Sequence, residues 1–326
     1  MGSTARPAGH TAEKAGHTAE AVAAVVVDYD TGDVLADCVA SLVAAGVHRV
    51  VVVENGSAGG ARRALDRRGL EVPVVSPGRN VGYGAGANRG MAALAGDGAG
   101  VAGVGPGESG GRPRYVMVCN PDLEVRPGAV ETLVAALEDE PSWAVVGPRI
   151  LTANGDVYPS VRRFPSMRDA AGHALLALLR PDNRFSRRYR PSDAGGDRRA
   201  PADWVSGACM MARAAAMEEL GGFDESYFMF AEDMDLCWRA HRAGWGVGVE
   251  PAAIVVHAGG VARRRHPYRM LVAHHRSAWR FAVRTTRGWR RVALPLAAAV
   301  LGLRLVAAVA DEALRTRREA PPPGRA

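Results

Sequence analysis

Apolar residues over the first half of the chain fall in short unbroken runs, separated by stretches whose apolar positions recur every three to four residues. The runs AVAAVVV (21–27) and RVVVVEN (49–55) have the length and β-branched content of buried strands. Between them VLADCVASLVAAG (34–46) has helical periodicity and closes on Gly46. ARRALDRRG (61–69) predicts a further helix and VPVVS (72–76) a third strand. Sheet resumes over 115–125, YVMVCNPDLEV, and the next helix starts at Pro127, a residue the first helical turn accepts. Strand and helix in alternation predict an α/β fold, a mostly parallel central sheet with helices on both faces. Such sheets take ligands at the carboxyl ends of their strands.

The second half continues with an amphipathic helix at 167–179, a basic loop at 182–203, a buried strand at 204–213 and a helix closed by Gly221. A last strand ends on His257. Before it stands FMFAEDMDLCWRA (228–240), where three acids follow an aromatic and methionine run. Acids suit the first turn of a helix, whose N–H groups are unpaired and carry partial positive charge. Asp235 and Arg239 are spaced i, i+4 and read as a surface ion pair, with Leu236, Ala240 and Ala243 as the inward stripe. That leaves Glu232 and Asp233 beside apolar neighbours.

Three stretches depart from this pattern. Residues 1–20 carry AGHTAE twice and almost nothing to bury, which predicts a disordered tail in which His10 and His17 are solvated. Residues 96–114 are glycine-rich, with Gly98, Gly100 and Gly103 at dinucleotide-fingerprint spacing. That stretch follows a helical pattern rather than a strand, so it reads as a flexible surface insertion and not as a pyrophosphate loop. Residues 292–310 are apolar but for Arg304, and fit an interfacial helix with arginine flanks better than a span. The catalytic unit is thus expected over 21–260, followed by a basic helical region over 261–326.

With 48% hydrophobic residues among 326, a sizeable core is assured. The charge balance is uneven, because 15 arginines and 3 acids lie from Ala258 onward. Such a tail suits an anionic membrane surface better than nucleic acid, since no aromatic and basic interleaving recurs elsewhere. Cys38, Cys119, Cys209 and Cys237 lack metal-site or disulfide spacing and read as buried thiols. The first apolar run is short and follows Glu13, Lys14 and Glu20, so no secretory signal is read and a cytoplasmic location is expected.

Asp122 lies just beyond a buried strand, where an unpartnered carboxylate is costly. Asn-Pro-Asp is the signature of an Asx-type bend, and a carboxylate there also suits a divalent cation facing a diphosphate. His257 is open to the same two readings, a solvated strand-end histidine or a ligand. Residue type alone leaves both standing.

The ordered motifs VVVENGS, RNVGYGAGANRG, VCNPDLEV, WVSGACMMAR, GGFDESYFMFAEDMDLCWRAHRAGW and VVHAGG resemble an inverting family 2 glycosyltransferase of GT-A fold. The tail HPYRMLVAHHRSAWRF followed by RGWRR is similar to actinobacterial rhamnosyltransferases acting on N-acetylglucosaminyl-diphospho-decaprenol. The resemblance spans 22–304. It implies that Tyr29 and Glu54 meet the nucleotide, with Asn80, Gly82 and Asn88 framing the same pocket. Asn120 and Asp122 stand at the metal-binding acidic motif, His257 at a second metal contact and Trp204 in the wall between donor and acceptor. Asp233 is implied as general base, with Glu232 beside it, and Mg²⁺ or Mn²⁺ as cofactor. The implied partners are a nucleotide-sugar donor, dTDP-L-rhamnose in the narrower resemblance, and a polyprenyl-diphosphate-linked acceptor at the inner face of the cell membrane. Two positions depart from the pattern: Glu54 replaces the commoner aspartate, and Asn120 replaces the first acid of the metal motif. A soluble-acceptor glycosyltransferase and a nucleic-acid-binding protein are the rival readings; the second leaves Asp122, Asp233 and His257 without a role.

Overall fold

The computed structural model describes residues 21–56, 58–96, 112–164, 196–258 and 267–319. The tail 1–20, the fingerprint-like glycines, and the helix expected at 167–179 lie outside them.

Strand β1, Val22–Asp28, is buried along its whole length and pairs in parallel with β2, Arg49–Glu54, on one side and β4, Tyr115–Cys119, on the other. Burial on both faces is why these strands read as continuous valine-rich runs rather than alternating ones. The third expected strand is reduced to β3, Val74–Val75, which extends the sheet beyond β2. The remaining strands are β5, Leu123–Val125, β6, Trp143–Thr152, β8, Ala200–Pro201, β10, Cys209–Arg213, and β11, Gly246–His257. The order across the sheet is β3-β2-β1-β4-β10-β6-β11-β5, with β8 also on β11. Among the described strands of this sheet, β10, β5 and β8 run against the rest. A small ribbon, β7, Val161–Arg162, with β9, Trp204–Val205, lies apart.

Helices cover both faces. On one side α1, Asp33–Ala44, and α4, Ala129–Asp139, bury Leu35, Leu42, Leu133 and Leu137 against the sheet. On the other, α3, Tyr83–Ala95, α5, Ala214–Glu219, and α6, Glu232–Arg242, bury Tyr83, Met217 and Leu236. The helix α2, Gly60–Arg67, follows β2. After β11 come α7, Pro267–Thr285, a 3₁₀ turn at Gly288–Ala293, and α8, Leu294–Glu319.

Four expectations need correction. The run 115–125 is not one strand: it breaks at Asn120–Asp122, and β5 crosses to the far edge to pair with β11. The run 204–213 likewise divides into β9 and β10 around a turn at 206–208. Asp235 and Arg239 are not a surface pair, because Asp235 is fully buried and its partner's side chain is 15% exposed. Ala243 is exposed rather than inward, while Leu236 and Ala240 are buried as expected. The four cysteines are free and buried.

Candidate active site

The breaks in those two strands build the site. Where β4 ends, the chain turns through Asn120, Pro121 and Asp122 before β5, and antiparallel pairing sets Leu123 opposite His257 at the tip of β11. Register thereby brings Asp122 and His257 together across a sequence separation that no local pattern records. His257 Nε2 lies 3.0 Å from Asp122 Oδ1 and 3.3 Å from Asn120 Nδ2. Tyr158 holds the imidazole edge-on at 5.7 Å. One ring nitrogen thus faces both a carboxylate and a side-chain amide.

The second centre lies at the start of α6. Phe230 and Ala231, just before Glu232, have φ of 67° and 63°. Left-handed backbone outside glycine costs of the order of 1–3 kcal/mol per residue and needs surrounding structure to hold it. The restraints are visible: Tyr83 N–H donates to Phe228 O at 3.0 Å, and Ser277 Oγ of α7 donates to Met229 O at 2.8 Å. The reversed backbone aims both acids inward. Asp233 Oδ2 accepts Gly207 N–H at 2.7 Å and Oδ1 accepts Met234 N–H at 2.8 Å. Burial raises the Asp233 carboxyl above the ordinary aspartate range, with these N–H groups and the charge of Arg162 pulling the other way. Burial raises Glu232 well above its usual range, and the charge of Asp233 adds to it. Its Oε2 is buried without a hydrogen-bond partner among the described residues.

The turn at 206–208 touches both centres. Asn120 N–H donates to Ala208 O at 2.8 Å, Gly207 N–H binds Asp233, and Tyr83 Oη donates to Gly207 O at 2.5 Å. A side chain at position 207 would begin 3.2 Å from Asp233 Cβ, a tight contact that would press on the Asp233 carboxylate. Trp204, just upstream, pairs across the ribbon with Arg162, whose guanidinium lies 5.3 Å from the indole ring centroid.

The expected nucleotide residues sit around the carboxyl ends of β1 and β2, and several are engaged within the fold. Glu54 is buried, accepting Gly59 N–H at 2.9 Å and Ala61 N–H at 2.8 Å, so it caps the start of α2. Asn80 Oδ1 accepts Gly82 N–H at 3.0 Å. Gly82 itself has φ 93° and lies against Phe228 O, where no Cβ fits. Asn88 braces the loop ahead of α6, accepting Phe223 N–H and donating to Phe223 O, both at 2.9 Å. Tyr29 is half-buried beside Asp28.

Some residues of this region are given no role by the sequence, although Asp28 and Asn55 stand out there as polar residues at strand ends. Asp28 is buried at the tip of the central strand, its carboxyl raised chiefly by burial and bonded to Thr31. Its strand-end position was the available signal. Asn55 ties β2 to the loop ahead of α3, donating to Gly82 O at 3.0 Å and accepting Val81 N–H at 2.9 Å. Arg284 of α7 reaches Asp224 Oδ2 at 2.5 Å and Asp235 Oδ1 at 2.9 Å, and no sequence spacing announces it.

Two buried polar centres flanking one glycine turn suit group transfer, with a leaving group held on one side and an incoming nucleophile on the other. The protein is thus an α/β fold with its candidate site at the strand ends. Its family is settled by comparison: residues 19–290 match the family described as glycosyltransferase like family 2, and the chain belongs to that family and is a glycosyltransferase. It is 37% identical over 272 residues to the N-acetylglucosaminyl-diphospho-decaprenol L-rhamnosyltransferase of Mycobacterium tuberculosis (strain ATCC 25618 / H37Rv), covering 83% of this chain and 86% of that one. It is 25% identical over 171 residues to the rhamnosyltransferase WbbL of Escherichia coli (strain K12), covering 52% of this chain and 62% of that one. A solved structure of GalNAc-T7 with UDP, GalNAc and Mn²⁺ is similar at a TM-score of 0.49 and 14% identity, over 72% of this chain and 42% of that one.

Proposed function

We propose that this glycosyltransferase moves L-rhamnose from dTDP-L-rhamnose onto a polyprenyl-diphosphate-linked N-acetylglucosamine, with inversion at the anomeric carbon. The substrates are carried over from the mycobacterial relative's name and its 37% identity. The chemistry rests on the 206–208 turn, which bonds to Asn120 at one centre and to Asp233 at the other.

In this reading the acceptor hydroxyl oxygen bonds to the anomeric carbon as the bond from that carbon to the diphosphate oxygen breaks. The nucleoside diphosphate leaves with the bonding pair, and the hydroxyl proton passes to Asp233. A positioned base contributes roughly 10²–10⁴-fold to such a step. A raised Asp233 carboxyl is better matched to a hydroxyl that becomes acidic only as its new bond forms. Gly207 N–H and Met234 N–H fix its two oxygens, leaving the remaining lone pairs for the acceptor. Glu232 stands next to Asp233 on the acceptor side, with its Oε2 enclosed by the protein. Trp204 forms part of the wall between donor and acceptor.

Asp122 and His257 fit a divalent cation. A carboxylate oxygen and an imidazole nitrogen lie 3.0 Å apart, and the Asn120 amide, 3.3 Å from the same nitrogen, would add its oxygen to the set when turned about. Bound Mg²⁺ or Mn²⁺ would neutralise charge developing on the departing diphosphate. With Asn120 in place of an acid, the protein supplies a single carboxylate there, so cation binding depends on the donor's phosphates. Tyr29, Asn80 and Gly82 frame the nucleotide pocket, while Glu54 and Asn88 hold the backbone around it.

The C-terminal region suits the inner face of a membrane. The segment Gly288–Thr316 is long and apolar enough to cross one, and its most apolar stretch is almost wholly unburied. Arginines cluster at its start, Arg287, Arg290 and Arg291, and again at its end, which favours a helix held peripherally at an anionic surface. The test offers a panel of nucleotide sugars with a prenyl-diphospho-N-acetylglucosamine acceptor and reads product mass, after chelation and with Mg²⁺ or Mn²⁺ restored. A deoxyhexose added only from dTDP-L-rhamnose and only with metal is expected. Product from another donor alone would overturn the donor, and full activity in chelator would overturn the metal.

A further inference from the structure

A lipid-linked acceptor needs a place on the protein for its lipid. The helices α7 and α8 pack as a hairpin and form an open cleft of about 240 Å³, lined by Trp279, Ala298, Leu301, Gly302 and Leu305 with His275 and Arg276 at its polar side. The cleft lies on one side of α8; exposed Leu296, Leu303, Val306 and Leu314 lie on the opposite side. An apolar helix turning one flank to an apolar cleft and the other to solvent has two separate apolar surfaces to satisfy.

We infer that this cleft receives the first isoprene units of the acceptor, and that Arg276 and Arg280 receive its diphosphate. The inference rests on the acceptor class proposed above. Charge and continuity carry it. Arg276 and Arg280 stand one helical turn apart on α7, roughly 6 Å along its axis, a spacing that suits the two phosphates of a diphosphate. Arg276 is at the cleft, whereas Arg280 lies over the buried Tyr227 ring at 5.9 Å, on the side of the loop that carries Glu232 and Asp233. Both side chains are exposed, and neither forms an ion pair among the described residues. The same helix holds that loop through Ser277 on Met229 O and through the Phe230–His274 ring contact at 5.4 Å. Going around α7, the order is therefore apolar cleft, two cations, catalytic loop. That is the order of prenyl chain, diphosphate and sugar in the ligand.

The probe is a farnesyl-diphospho-N-acetylglucosamine with a benzophenone on the terminal isoprene, irradiated with the full-length protein in neutral detergent and mapped by peptide mass. No donor sugar is present, so the result is independent of whether rhamnose is the sugar transferred. Labelling on Trp279 or within 298–305 is expected, competed by unlabelled farnesyl diphosphate and not by phosphatidylglycerol. A second measurement uses Gly302→Leu. A side chain at 302 begins in open space, so the helix accommodates it, and it fills the cleft. Whichever nucleotide sugar proves active, the ratio of kcat/KM for the farnesyl acceptor to that for its methyl-diphospho counterpart is expected to fall about tenfold, the worth of roughly two buried methylenes. Labelling confined to the exposed row of α8, labelling displaced equally by phosphatidylglycerol, no labelling, or an unchanged ratio would overturn the assignment.

Discussion

Asp235 offers a test in which two readings differ by several kcal/mol. As an exposed i, i+4 pair with Arg239 it would contribute about 0.3–0.5 kcal/mol, and Asp235→Asn would pass almost unnoticed. The structure buries it completely and gives it Arg239 Nε at 2.7 Å, Arg284 Nε at 2.9 Å and Tyr227 Oη at 3.3 Å. Asparagine keeps the shape but removes the charge that two guanidinium groups face, and breaking a buried pair from one side costs about 3–5 kcal/mol. The lower end applies, because Arg239 retains Leu220 O at 2.6 Å and Gly222 O at 2.7 Å, and Arg284 retains Asp224. A loss of about 3 kcal/mol corresponds to a fall in Tm of roughly 5–10 °C for a chain of this size. Urea unfolding followed by far-UV circular dichroism reads the loss, with the midpoint moving at constant slope. Arg284→Gln, whose side chain is 37% exposed, should cost distinctly less. A shift below 1 °C for Asp235→Asn would refute the buried network.

Further consequences concern the acids and the turn. Gly207→Ala places a methyl 3.2 Å from Asp233 Cβ and 3.4 Å from its Oδ2, so kcat should fall at least about tenfold through misplacement of the base while Tm changes little; unaltered kcat would contradict that contact. Glu232 has a folded-state pKa raised by burial, so its charge destabilises the fold increasingly as pH rises from its unfolded value through its folded one. Glu232→Gln should therefore raise Tm more at pH 8 than at pH 4, and equal shifts at both would refute the sign. Because burial also raises Asp233, the acid limb of kcat/KM should lie above the ordinary aspartate pKa of about 3.9.

What could be read from the sequence follows the range of the interactions that leave a local mark. Strands β1 and β2 and helices α1 and α4 were legible because burial on two faces or one stripe imposes a periodicity on neighbouring residues. The strand β6, Trp143–Thr152, drew no prediction, although it holds β10 and β11 together. The turn at Ser206–Ala208 left little mark in an otherwise apolar run, whereas Asn120–Asp122 announced a bend but not that β5 crosses to the far edge of the sheet. Those turns carry the candidate site. The Asp122–His257 contact depends on register between β5 and β11, and the burial of Asp235 depends on α7 arriving from far along the chain with Arg284. Motif order pointed to Asp122, His257 and Asp233, but spacing alone left each with a plain structural alternative. Glu54 and Asn88 turn out to be bonded to backbone, which sequence shows no better than it shows which N–H groups lack a partner.

The most direct measurement of the central claim compares Asp233→Asn with the unaltered enzyme. Donor binding is followed by isothermal titration and single-turnover transfer by product mass. Retention of donor affinity within about threefold, with turnover lowered by about 10² or more, is the predicted result. Turnover within a few-fold of the unaltered enzyme would contradict the assignment of Asp233 as the base.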